Sequence, residues 1–67
     1  MPYVNIKITN EGASSSQKAA LISGVTELLV GLLGKDPAAT FVVIDEVETE
    51  DWGIGGLPVK EYLRQRR

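Results

Sequence analysis

The fold is decided by the first nine residues, Met1-Pro2-Tyr3-Val4-Asn5-Ile6-Lys7-Ile8-Thr9. From position 4 onward, apolar and polar side chains alternate, which is the two-residue period of a strand with one buried face. We therefore predict a β-strand over Tyr3–Thr9. Its polar face is either exposed to solvent or turned towards a second subunit.

The same stretch holds a candidate for chemistry, because Pro2 directly follows the initiator methionine. Methionine is commonly removed before a small residue, and we expect Pro2 to become the amino terminus. Inside a chain the proline nitrogen is an amide without an N–H, but at a free terminus it is a secondary amine that can take up and return a proton. The chain has no His and no Cys, so Pro2 is its only plausible base near neutral pH.

The length of the chain predicts a single domain that is too small to be stable on its own and needs further stabilisation. We assign this domain to residues 1–67, and a domain of this size buries only about 60% of its unfolded surface. Without Cys and His, it has neither disulfides nor the usual ligands of a zinc site. Because 43% of the residues are hydrophobic, neighbouring subunits can cover part of the apolar surface. We expect a homo-oligomer that has neither a metal nor a cofactor.

The charge and hydropathy of the chain bear on its partners and location. The net charge is −2, which argues against nucleic acid as a partner. No secretory signal pattern is found, and the apolar stretch Ala19–Leu33 is too short and too interrupted by polar residues to span a membrane. These features and the absence of Cys fit a cytoplasmic protein.

A long helix is predicted over Ser15–Leu33. The serines at positions 14 to 16 supply capping hydroxyls at its start, apolar residues recur at three- and four-residue spacing, and Gly34 can end it. Gly24 and Gly31 are unfavourable inside a helix, and we expect them to allow close packing of the helix against the sheet.

A second strand is predicted over Thr40–Val47. Its run Phe41-Val42-Val43-Ile44 is apolar on both faces, which indicates that both sides of the sheet are covered. A strand, a long crossover and a second strand form a parallel, right-handed β-α-β unit. Because the helix covers one face, we expect another subunit to cover the other.

The last third of the chain predicts a hairpin and a short helix. In Trp52-Gly53-Ile54-Gly55-Gly56 the glycines favour a hairpin, whereas a phosphate-binding loop would have a strand directly before it and not an acidic turn. The segment Val59–Arg64 predicts one or two helical turns. The basic residues at positions 64, 66 and 67 suit the end of a helix.

Taken in order, these segments resemble the 4-oxalocrotonate tautomerase family of the tautomerase superfamily. The resemblance covers nearly the whole chain: Met-Pro, an alternating strand, a capped helix with Gln17-Lys18, an apolar strand ending in Ile44-Asp45-Glu46-Val47, and an aromatic residue before Gly-Ile-Gly-Gly. The Asp45-Glu46-Val47 ending and the Leu63-Arg64-Gln65 tail are nearest to the DmpI-like branch.

The resemblance implies an α+β fold, a β-α-β unit with a C-terminal hairpin. Dimers would form a four-stranded sheet and assemble into a homohexamer. It also implies an isomerase of the 4-oxalocrotonate (2-hydroxymuconate) tautomerase type, which acts on a small enol or keto acid in aromatic compound catabolism. Pro2 would be the general acid and base, and Trp52, usually Phe in the family, would make the pocket apolar. We expect Phe41 and Thr9 to line the pocket with Trp52.

The chain departs from this family at two positions that hold arginines in the best-studied members. The loop after the first strand has Glu11-Gly12-Ala13, and the start of the second strand has Phe41. Candidates to replace these arginines are the helix start at positions 14 to 16, Lys35, Lys7 and the tail arginines. The alternatives are a tautomerase-like assembly with relaxed or lost activity, and a related dehalogenase or hydratase in which Glu11 activates water.

Overall fold

The computed structural model describes residues 1–65 and has the predicted β-α-β unit followed by a hairpin and a short helix. The predicted bounds of the first strand and of the long helix are confirmed. The second strand starts one residue later than predicted. The elements are β1 Tyr3–Thr9, α1 Ser15–Leu33, β2 Phe41–Val47, β3 Gly53–Ile54, β4 Leu57–Pro58 and α2 Val59–Gln65, with 3₁₀ turns at Pro37–Ala39 and Thr49–Asp51.

The central feature is the parallel pairing of β1 with β2. The two strands pair over seven residues without a bulge, from Tyr3 opposite Phe41 to Thr9 opposite Val47. One further hydrogen bond lies beyond each end of the ladder. The Phe41 N–H donates to the Pro2 carbonyl at 3.0 Å, and the Asn10 N–H donates to the Val47 carbonyl at 2.8 Å. The ladder therefore holds the chain from Pro2 to Asn10 against β2.

The crossover helix α1 is fixed at both ends by local hydrogen bonds. Ser14 and Gln17 form a capping box, in which the Ser14 hydroxyl accepts from the Gln17 N–H and the Gln17 amide oxygen accepts from the Ser14 N–H. Such a box satisfies two backbone donors that the helix leaves unpaired. Gly34 ends the helix with a positive φ of 64°, and its N–H donates to the Val30 carbonyl.

The two faces of the β1–β2 pair have different surroundings. The face of Glu46 is turned towards α1, because the Lys18 ammonium of the helix pairs with the Glu46 carboxylate at 2.5 Å. By the alternation of strands, Val4, Ile6 and Ile8 share that face. The opposite face, hereafter the open face, carries Tyr3, Asn5, Lys7, Thr9, Phe41, Val43, Asp45 and Val47.

The expectation for the two helix glycines was wrong. A Cβ atom built on Gly24 or Gly31 meets no atom within 4 Å outside the local helix backbone, so neither glycine packs against the sheet. The 3.6-residue period of the helix explains this, because it places both glycines on the side of α1 that is turned away from the strands.

The hairpin turns at two glycines with positive φ, Gly55 at 61° and Gly56 at 85°. Two consecutive residues of this kind make a two-residue turn that matches the twist of the paired strands. The Tyr62 ring of α2 lies 3.0 Å from the place where a Cβ of Gly55 would be. The glycine run is thus a structural hairpin, as predicted, and α2 packs back over its turn.

One chain does not enclose a core. None of residues 1–65 is buried, and large apolar side chains such as Phe41 (48% exposed) and Leu28 (58% exposed) remain in contact with solvent. The radius of gyration is 15.5 Å, whereas a compact chain of this length would have about 11 Å. No helix among the described residues is long and apolar enough to cross a membrane.

We expect Gly34→Ala to lower the free energy of unfolding by about 1 kcal/mol, because an L side chain is strained in left-handed backbone. Gly24→Ala is the matched control, since the same methyl group enters right-handed helix with open space around it. The control should be stabilised by up to about 1 kcal/mol. Urea unfolding at one fixed chain concentration measures both. Equal stability of the Gly34→Ala protein and the wild type would contradict the cap.

Candidate active site

The predicted site residues lie at the two ends of the β1–β2 ladder. Pro2 and Phe41 are together at the end where both strands begin, joined by the hydrogen bond from the Phe41 N–H to the Pro2 carbonyl. Pro2 is half-buried, and the Phe41 side chain is on the open face. The neighbour of Phe41 across the ladder is Tyr3, which is 64% exposed. This end of the chain is therefore apolar and uncovered.

Thr9 and Trp52 are together at the opposite end, where the strands finish. They line an open groove, hereafter the Trp52 groove, between the end of β1, the loop that follows it and the start of α1. Two hydrogen bonds hold the backbone of Trp52 in place. The backbone N–H of Trp52 donates to the Thr49 carbonyl, and the Trp52 carbonyl accepts from the backbone N–H of Val59 at 2.8 Å. The groove is lined by Lys7, Ile8, Thr9, Glu11, Gly12, Ala13, Gln17 and Trp52.

Within one chain the four predicted residues form two separate pairs. Pro2 and Thr9 are seven residues apart along an extended strand, which corresponds to about 23 Å. A small enol acid cannot span that distance. Pro2 and the Trp52 groove of the same chain therefore do not act on one small molecule.

The Trp52 groove contains one of the candidate cations, Lys7, but this lysine is already paired. Its ammonium lies 2.9 Å from a carboxylate oxygen of Asp45, its partner across the ladder. The Asn5 side-chain amide donates to the same oxygen at 2.9 Å. The hydrogen bond from Asn5, followed by the hydrogen bond and charge of Lys7, lowers the pKa of Asp45 below its usual 3.8. The carboxylate is thus the form that this network favours.

The other candidates for binding a substrate carboxylate lie elsewhere. The Ser14 hydroxyl is engaged as the cap of α1. Lys35 is exposed, directly after the helix. Arg64 pairs with Glu61 on α2, and the predicted contribution of Arg66 and Arg67 lies outside the described residues.

Sequence reasoning missed the Asn5–Lys7–Asp45 network. Asn5 and Lys7 lie on the predicted polar face of the first strand, whereas Asp45 lies near the end of the predicted second strand. Their contact depends on the register of two strands that are 38 residues apart in sequence. A one-residue shift in that register would move Asp45 to the helix side of the sheet. The sequence does carry a signal for this network. Once an in-register parallel pairing of the two strands is assumed, positions 5, 7 and 45 lie on the same face of the sheet.

A comparison with protein families matches residues 2–62 to a family described as "Tautomerase enzyme". The match begins at Pro2 and ends at Tyr62, and so it includes both ends of the ladder and the hairpin.

Individual relatives agree with this match. The chain is 60% identical to "Probable tautomerase K2" of Dickeya dadantii, over 97% of each chain. It is 43% identical to the 2-hydroxymuconate tautomerase of Comamonas testosteroni, over 96% of this chain and 100% of the relative. Among solved structures, DmpI from Helicobacter pylori is similar with a TM-score of 0.84 and 42% identity, over 90% of this chain and 98% of that one.

The network at Asp45 predicts a pH dependence. Because the folded-state pKa is lowered, the network stabilises the fold above the ordinary pKa, and this stability is lost as the pH falls through the folded pKa. We expect Asn5→Ala and Lys7→Gln each to raise the pKa of Asp45 towards 3.8. Carboxyl ¹³C NMR between about pH 6 and about pH 2 measures the shift.

The matched control for this titration is Asn10→Ala. It removes another asparagine amide, one that donates to Glu48 and not to Asp45. The pKa of Asp45 should be the same in this variant as in the wild type. An Asp45 pKa that does not respond to Asn5→Ala would contradict the network.

Proposed function

The chain belongs to the tautomerase family, and from this membership we propose that it interconverts the enol and keto forms of a 2-hydroxy-dienoate or related 2-oxo acid, with Pro2 as general acid and base. The observation that carries the proposal is the family match over residues 2–62, supported by 43% identity to a 2-hydroxymuconate tautomerase. The reaction moves one proton and needs neither a metal nor a redox cofactor.

The proposed base is the secondary amine of Pro2 after removal of Met1. An α-amino group has a reference pKa of about 7.7–8.0. Apolar surroundings disfavour the charged ammonium and lower the pKa, which favours the neutral amine that accepts a proton. Phe41 beside Pro2 supplies apolar surface of this kind, and Trp52 of another subunit adds to it.

The proton transfer conserves atoms and charge. The Pro2 amine takes the proton of the enol hydroxyl, the electrons of that O–H bond form the carbonyl, and the conjugated double bond shifts along the chain of carbons. The resulting ammonium then returns the proton to a carbon of the conjugated system. A positioned acid–base group of this type contributes about 10²–10⁴-fold to the rate.

We propose that each pocket is shared between subunits. A two-fold contact that sets strands of two chains antiparallel brings the start of one ladder next to the end of the other. Pro2 and Phe41 of one chain then face Thr9 and Trp52 of its partner. The separation of about 23 Å within one chain is thereby removed without any change in the subunit.

The proposed assembly is a homohexamer made of three dimers. Its support is the absence of any buried residue in residues 1–65 and the exposed apolar side chains of the open face. A folded chain in water needs to bury such surface, and another copy offers a complementary one. In each dimer, edge strands pair into a four-stranded sheet, and further contacts between dimers cover the exposed apolar side chains of the open face.

We expect an uncleaved extension before Pro2 to abolish enol ketonisation. The extension converts the amine into an amide, which has no basicity. The loss should be at least about 10²-fold, the lower range for a positioned base. A spectrophotometric enol assay measures the rate, and intact-mass analysis confirms that Met1 is absent from the active protein.

The matched control carries the same extension after Arg67. It should retain the activity and the assembly of the untagged protein, because the Pro2 amine is free. Full turnover by the protein with the blocked terminus would overturn Pro2 as the base.

Shared pockets predict complementation between two defective chains. The first chain has the blocked Pro2, and the second has Trp52→Ala, which removes apolar contact surface and should lower kcat/KM at least about tenfold. When equal amounts are unfolded and refolded together, about a quarter of the pockets combine an intact Pro2 with an intact Trp52. The mixture should therefore be more active than either variant alone and not merely reach the mean of the two.

The control for complementation is the same mixture made without unfolding. Sedimentation should give each protein a mass near six times the 7.2 kDa chain. A co-refolded mixture with only the mean activity of its two components would place the whole site in one chain.

A further inference from the structure

The Trp52 groove has a single cation among the described residues that line it, Lys7. The groove also contains one acid, Glu11, which takes part in none of the ion pairs found within residues 1–65. Whether the groove attracts or repels a second negative charge on a substrate therefore depends on Lys7.

Lys7 lines the groove, but its ammonium is paired with Asp45. The ammonium lies 2.9 Å from the Asp45 carboxylate, on the open face of the sheet. That carboxylate is itself oriented by the Asn5 amide, which donates to the same oxygen. Asp45 is not a lining residue of the groove. It acts on the groove through the lysine that it neutralises.

We propose that Asp45 determines the specificity of the pocket: by holding Lys7, it makes the groove favour enol acids with one carboxylate and an apolar tail over those with a second carboxylate. This inference rests on the proposed function, in which the part of the substrate remote from the reacting enol enters the Trp52 groove. The apolar tail packs on the indole. A remote carboxylate meets a lysine that is already paired, together with the Glu11 carboxylate.

The size of the effect follows from the exposure of the pair. Lys7 and Asp45 have side chains that are 61% and 46% exposed, and an exposed ion pair of this kind changes an equilibrium constant by roughly two- to fivefold. Asp45 thus biases the choice of substrate without forbidding the dicarboxylate. Removal of its charge frees Lys7 for a charge-assisted hydrogen bond to a remote carboxylate.

The test compares two substrates in each protein preparation. 2-Hydroxymuconate carries two carboxylates, and phenylenolpyruvate carries one carboxylate and an aromatic tail. In Asp45→Asn, the ratio of kcat/KM for the dicarboxylate to kcat/KM for the monocarboxylate should rise by about two- to fivefold. The ratio does not depend on the fraction of active protein, because both rates are measured on the same sample. Asp45→Ser serves as a second variant if the asparagine protein does not assemble.

The matched control is Glu46→Gln. It makes the same change in net charge at the next residue of β2 and releases Lys18 on the helix side of the sheet, but it leaves the Lys7–Asp45 pair in place. The ratio should stay at the wild-type value. The double variant Lys7→Gln/Asp45→Asn should also lose the rise seen in Asp45→Asn, because the freed ammonium is no longer there.

The outcomes separate this inference from the proposed function. An unchanged ratio in Asp45→Asn, or an equal rise in Glu46→Gln, overturns the role of Asp45 while the tautomerase activity stands. A wild-type protein with its amino-terminal proline free that converts neither acid overturns the proposed function and this inference with it.

Discussion

The in-register pairing of β1 with β2 is the constraint on which the rest of the structure depends. Parallel strands cannot be joined by a tight turn, so the chain has to cross one face of the pair as α1 before it returns. The register fixes which side chains share a face, and this brings Asn5, Lys7 and Asp45 together. It also places both strand starts at one end and both strand finishes at the other.

The same ladder explains why one chain is incomplete as a fold and as a site. Two strands and one helix form two layers with an uncovered face, and none of residues 1–65 is buried. The ladder also keeps Pro2 and the Trp52 groove at opposite ends. In the proposed assembly, one set of contacts between subunits meets both needs, because it buries apolar surface and brings the base of one chain to the groove of another. Folding and catalysis would then share a dependence on chain concentration.

Much of the fold could be predicted from the sequence because its signals are local. The alternation over Tyr3–Thr9, the capping residues around Ser14 and the helix stop at Gly34 each act within a few residues, and all are confirmed. The features that could not be predicted are set by tertiary placement. The outward position of Gly24 depends on how α1 is rotated over the sheet, and the Lys7–Asp45 pair depends on strand register. The residues of the candidate site were named from the sequence, but their distribution over two ends was not.

At the positions where the chain departs from the family that it resembles, the side chain takes no part in the backbone ladder. The segment Glu11-Gly12-Ala13 lies in the loop after β1, and Phe41 is the first residue of β2; the ladder uses the backbone of Phe41 and leaves its side chain free. Replacing an arginine at either position removes a charge without removing a backbone hydrogen bond, so the fold can persist while the electrostatics of the pocket changes. A pocket with few cations depends strongly on each of them. Within the Trp52 groove that cation is Lys7, and its availability is set by the register that pairs it with Asp45. The backbone ladder thus affects substrate choice through a side-chain pair that has no direct part in proton transfer.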